Sequence, residues 1–286
     1  MSFRCSDAAR ERLDPMIGTA PPQRRWLLVE HPGPWPVSAP FDSGLSRPLL
    51  QRLGHPDLRV VLIRRFGRRP TPEVRSWALG EPGRPLRWGT WREPRHLLDA
   101  IDFEPRGDLR ANPVLLVCTH GVHDLCCAVR GRPVAEALTA RWPDLTWECS
   151  HLGGDRFAAN LMVLPDGACY GALDATTAVA TVHDHLSGRL VPARLRGIAG
   201  QRPAEQLAVA AVHDRFGPAP VDAAQPSGTQ ATGDGWRVTV EGINPLPART
   251  LVDVVARRRP TQQLTCRTTR ETAALAYDVV GLTVVR

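Results

Sequence analysis

Two short stretches of this chain concentrate the side chains that do metal and redox chemistry. The first is Cys118-Thr-His120-Gly-Val-His123-Asp124-Leu-Cys126-Cys127. The second is Cys149-Ser-His151-Leu-Gly-Gly-Asp155-Arg-Phe. Cysteine thiolate and histidine imidazole are common ligands of zinc and of iron–sulfur clusters. The cysteines are not spaced as C-x-x-C, so the simplest zinc-ribbon and dithiol–disulfide motifs are absent. Two adjacent glycines, Gly153 and Gly154, let the backbone curl and turn His151 and Asp155 toward one centre. On these residues alone an iron–sulfur cluster, a zinc ion and a metal-free loop all remain open.

The surrounding pattern says how these stretches are positioned. Pro113–Val117 is a short apolar run that predicts a central strand, and Cys118 follows it directly. Arg132–Trp142 predicts an amphipathic helix, with Pro133 in its first turn and Pro143 as its stop. Cys126 and Cys127 therefore precede a helix N-terminus, whose unpaired N–H groups favour thiolate. Leu145–Cys149 predicts a second strand leading into the His151 loop. Loops after parallel strands share one edge of an open α/β sheet, so the two stretches can meet there. Leu161–Leu164 and Ala168–Ala172 flank a P-D-G turn and predict a hairpin. Asp174 is placed to cap a helix reaching Leu186. The order β-α-β-loop-β-β-α is that of a compact thioredoxin-like domain.

Outside this section the signals are weaker. The N-terminal part offers a helix over Ser6–Leu13, strands over Trp26–Glu30 and Arg59–Arg64, and a helix over 43–53. Residues 67–93 read as loops with short strands, and 95–101 as a short helix. A helix is expected over 203–216. Residues 217–235 are poor in large apolar side chains and read as a linker. Three β-type runs fill 236–286. The fold class is α/β: an N-terminal α/β region (1–107), a thioredoxin-like domain (108–216), the linker, and a small β-rich extension.

Composition limits the function classes. The net charge is +7 over 286 residues, and all 36 basic residues are arginine. The arginines are scattered, with short clusters at 64–69 and 257–259, so nucleic-acid binding is not expected. A basic face would suit an acidic redox partner protein. The N-terminus lacks an apolar signal core, and no apolar run spans a bilayer, so a cytoplasmic protein without membrane association is expected. An odd set of seven cysteines in a reducing compartment argues against a disulfide framework. No G-x-G-x-x-G, P-loop, G-x-S-x-G or H-E-x-x-H motif is present.

At the two cysteine–histidine stretches the chain resembles the sucrase/ferredoxin-like family. The shared pieces are Cys118-Thr-His-Gly-x-x-Asp124-x-x-Cys127, G-R-P at 131–133, and His151-x-Gly-Gly-x-Arg156-Phe-Ala before a strand and P-D-G. A weaker echo lies in Cys5, GTA at 18–20 and WLLVEHPGPW at 26–35. The resemblance implies a ferredoxin domain carrying a [2Fe–2S] cluster for electron transfer or redox sensing. By position it implies Cys118, Cys127, His151 and the residue at 155 as ligands. Fungal relatives carry a second histidine at that last place, and this chain carries Asp155. Cys126 and Cys149 are the alternates for the fourth ligand. The rival readings are a zinc-binding or metal-free thioredoxin-fold module, and a thiol-dependent redox enzyme using Cys126 or Cys127.

Remaining candidates take ordinary readings. Cys5, Cys169 and Cys266 read as isolated, buried small hydrophobes. His183 and His185 read as surface residues. His120 and His123 read as neighbours of the centre or solvent-facing groups, with ligation by either as the lesser alternative. Asp124 is suited to order the loop through backbone N–H groups. Arg130, Arg132 and Arg156 could offset cluster charge or line the rim.

Overall fold

The computed structural model describes residues 3–45, 47–67, 72–101 and 107–285. Parts of the expected 67–93 loop region and of the arginine cluster at 64–69 lie outside these residues, as does 102–106 before the expected domain boundary. In chain order the elements are α1 (Cys5–Glu11), β1 (Arg25–Glu30), α2 (Arg47–Arg52), β2 (Leu58–Arg64), β3 (Arg75–Gly80), β4 (Leu86–Trp91), β5 (Asp108–Arg110), β6 (Val114–Cys118) and α3 (Leu125–Arg141). There follow β7 (Thr146–Cys149), β8 (Leu161–Leu164), β9 (Ala168–Tyr170), α4 (Ala175–Leu186), β10 (Leu195–Ile198) and α5 (Pro203–Phe216). The chain closes with β11 (Ala224–Ala231), β12 (Gly235–Gly242), β13 (Arg249–Gln263) and β14 (Glu271–Val284).

The fold is mixed α/β, with one large sheet and a second, smaller antiparallel sheet. The large sheet has ten strands in the order β10-β9-β8-β6-β7-β2-β1-β3-β4-β5. β6 and β7 are parallel, so Cys118 and Cys149 stand side by side at the same end. β8 runs antiparallel to β6, and the P-D-G turn joins it to β9 as expected. β2 pairs with β7 through Ile63–Cys149 and Arg64–Glu148, so the sheet continues through the expected boundary near 107–108.

Strand periodicity sorts the core. On β6, Leu115 and Val117 pack with Val134, Ala135 and Leu138 of α3 and with Ala178 and Val182 of α4. Val114, Leu116 and Cys118 face the other side and join Trp26, Leu28, Val61 and Ile63 of the N-terminal strands. Successive side chains on a strand point to opposite faces, and both faces of this one are covered.

Three expectations change. α3 starts at Leu125 rather than Arg132, which leaves Pro133 inside the helix. Asp124 caps the new start by accepting from the Cys126 N–H at 2.9 Å, and Cys126, Cys127 and Ala128 are buried in the added turn. Burial at the strand ends outweighs the proline as a local start signal. The second change concerns 217–235. This segment carries strand β11, which pairs along β12 and buries Ala224. Its polar composition is that of an edge strand, where a residue such as Pro226 is tolerated. Finally, His185 is buried, with Nδ1 2.8 Å from the Tyr170 hydroxyl and Nε2 2.9 Å from Asp166 Oδ2. Helix α4 folds that residue against the β8–β9 hairpin. His183 stays on the surface.

Candidate metal centre

The loop after β6 and the loop after β7 meet. Ligand atoms of Cys118, Cys127 and His151 lie within 4.8 Å of one another. A second triad, His123, His151 and Asp155, meets the same limit and shares His151 with the first. The two thiols are almost fully buried, at 1% and 0% exposure, while the two imidazoles keep some contact with solvent.

Local sequence explains the convergence. Cys127 falls in the first turn of α3, and that helix packs tightly on the end of β6. A Cβ at Gly131 would stand 2.1 Å from the Cys118 carbonyl oxygen, so only glycine admits this approach. In the second loop Gly153 and Gly154 adopt φ of +93° and +74°, the left-handed curl expected of them. The fully buried Arg196 clamps that curl by donating to the carbonyls of Gly153 (2.9 Å) and Thr19 (2.6 Å), to Asn160 Oδ1 (2.9 Å) and to Thr19 Oγ1 (3.1 Å). The N-terminal strands add Arg59, which donates to the His151 carbonyl at 2.8 Å, and Ser150 Oγ accepts from the Leu62 N–H.

His120 ties three segments together. Its Nε2 donates to the Pro36 carbonyl at 2.9 Å, so Nδ1 is the acceptor that receives the His151 N–H at 3.3 Å. Both roles require the neutral ring, and burial pushes its pKa down to match. His123 has its Nδ1 3.1 Å from the Val37 carbonyl, which can only accept. That leaves Nε2 as a lone-pair nitrogen, 4.0 Å from Asp155 Oδ2, with the ring stacked on His151 at a centroid distance of 3.8 Å.

Charge at the centre is strongly coupled. Cys127 as a hydrogen-bond donor, together with His151, draws the Cys118 pKa well below the ordinary thiol range against the effect of burial. The hydrogen bond to Cys118, with burial, holds Cys127 high, so the pair favours one thiolate beside one thiol. Burial disfavours a charged His151, yet Asp155, 2.9 Å from its Nδ1, and Cys118 raise it to about 9. Asp155 is held ionised by His151 despite its burial. It also accepts from Cys127 Sγ at 3.4 Å.

The residues singled out from the sequence divide as follows. Cys118, Cys127, His151 and Asp155 are brought together. The alternate Cys126 turns the other way, with its sulfur 3.4 Å from that of Cys266. The alternate Cys149 is fully buried in the core and belongs to neither triad. Arg130 pairs with Asp7 and Arg156 approaches Asp14, so neither lines this centre. Arg59, Arg196 and Asn160 carried no signal, because only the tertiary fold brings them to the loop.

Residues 95–197 match the sucrase/ferredoxin-like family. The sucrase/ferredoxin-like match contains both triads and bears out the resemblance read from the cysteine loop and the H-x-G-G turn. The weaker echo in residues 1–35 lies outside the matched residues. No curated protein matches the chain, and no solved structure does.

Proposed function

We propose that the sucrase/ferredoxin-like region holds a [2Fe–2S] cluster and serves electron transfer or redox sensing. The observation that carries this reading is the convergence of two buried thiols and one imidazole from loops at neighbouring strand ends. The strand order β9-β8-β6-β7, with α3 and α4 on one face, supports a thioredoxin-like ferredoxin domain. When bound, such a cluster supplies one-electron exchange, and imidazole ligation raises its potential over an all-thiolate set.

The donor set fits the group. Cys118 and Cys127 supply the soft sulfur pair. His151 supplies nitrogen, and His123 fits the remaining position better than Asp155. The Val37 carbonyl accepts from its Nδ1, and its Nε2 faces the centre with the exposed Arg267 guanidinium (3.4 Å) and Asp155 Oδ2 (4.0 Å) beside it, whereas the Asp155 carboxylate lies 2.9 Å from His151 and is a harder donor. Asp155, with Oδ1 2.9 Å from His151 Nδ1, then acts on the ring by its charge from behind, as carboxylates do behind metal-binding histidines. Arg59 and Arg196 lie close enough to offset negative charge at the sulfurs. Burial of Cys126 and Cys127 weighs against the thiol-enzyme reading.

A cytoplasmic location and an acidic redox partner protein belong to the same proposal. Among the described residues no helix is long and apolar enough to cross a membrane. The test is anaerobic purification followed by absorption and electron paramagnetic resonance spectra. Wild type should show a brown, paramagnetic-on-reduction centre that Cys118→Ser or Cys127→Ser abolishes. A colourless protein carrying zinc on those cysteines would replace this reading with the zinc module.

A further inference from the structure

We propose that Cys5, Cys126 and Cys266, with Asp124, form a second metal site that takes a single zinc ion. These residues come from three distant places: the start of α1, the first turn of α3, and the turn between β13 and β14. Their ligand atoms nevertheless lie within 4.8 Å of one another. Cys126 Sγ is 3.4 Å from Cys266 Sγ, and Cys5 Sγ is 3.7 Å from each oxygen of Asp124. A tetrahedral zinc with Zn–S of about 2.3 Å sets its sulfurs roughly 3.8 Å apart, close to this spacing. Cys5 and Cys126 are buried and Cys266 is half-buried, which closes the site as structural zinc sites are closed.

Asp124 is held for the task. Its oxygens accept from the N–H groups of Cys126 (2.9 Å) and Cys266 (2.8 Å) and from Thr265 Oγ1 (2.9 Å). A carboxylate offers about four lone-pair positions, so one remains for an ion. Loading forms three S–Zn bonds and one O–Zn bond. Three thiol protons leave to solvent, and no electron changes hands. The site would staple the first helix and the C-terminal turn to the start of α3, one residue before the Cys127 thiol of the first centre. Soft sulfur and one oxygen in a closed pocket favour zinc over calcium or magnesium.

The test uses the full chain carrying Cys118→Ser and Cys127→Ser, which removes the thiols of the first centre, so thiolate–metal bands report the second site independently of the cluster. Cobalt(II) is titrated in under reducing conditions and then displaced by zinc(II). One cobalt per chain with the intense visible bands of a tetrahedral thiolate site is expected, with stoichiometric displacement by zinc. Cys266→Ser, in the half-exposed turn, should abolish those bands while circular dichroism stays native. Zinc content of wild type should remain one per chain whether or not iron is present. Bands unchanged by Cys266→Ser, no cobalt bound, or a Cys126–Cys266 disulfide by mass spectrometry in reducing buffer would each overturn the site.

Discussion

The imidazole rings of His123 and His151 stack at 3.8 Å with an interplanar angle of 23°, although they sit on loops that follow different strands. That stack brings a second imidazole beside His151 and within 4.0 Å of Asp155 Oδ2. His123→Ala should therefore strip or destabilise the cluster as severely as His151→Ala. Asp155→Ala should keep the iron and change its electronic environment. Iron and sulfide per chain, measured on the three variants side by side, check this; full iron retention in His123→Ala would return the fourth position to Asp155.

Histidine ligation makes the midpoint potential respond to protons. Potentiometry of the loaded protein from about pH 6 to 9 should give a sloping midpoint, since imidazole ligands couple electron and proton uptake. A flat profile would remove histidine from the ligand set.

The contact between α3 and β6 has a steric signature. Alanine at position 131 would drive a Cβ into the Cys118 carbonyl, a backbone atom that cannot swing aside. Gly131→Ala should cost about 1–3 kcal/mol in urea unfolding. It should also impair cluster loading, because relief of the clash moves Cys127 away from Cys118.

Much of this centre was legible because the signals were local. The apolar run before Cys118, the P-D-G turn and the Asp174 cap each act within a few residues, and the structure places all three as read. Where recognition failed, the deciding interactions were distant. Arg196 reaches the H-x-G-G loop from β10, and Cys266 reaches Cys126 from the far sheet, with no periodicity to announce either. Strand β11 stayed hidden because its side chains are polar and its strand character comes from pairing with β12.

Acid should weaken the C-terminal half through His213. This residue lies on α5 beside the core of the smaller sheet, and burial pushes its pKa down to about 4 from an ordinary 6.5. The unfolded chain then binds the extra proton first, so stability is complete above about pH 6.5 and falls as pH drops toward 4. Across that window the loss is about 3 kcal/mol. Denaturant midpoints at several pH values check it, and His213→Leu should flatten the slope.

Quantifying iron and acid-labile sulfide in the anaerobically purified full-length chain bears most directly on the central claim. Iron and sulfide in equal amounts, both lost in Cys118→Ser and in Cys127→Ser, is the predicted result. Iron-free, sulfide-free protein whose Cys118 and Cys127 hold zinc or remain free thiols would contradict it.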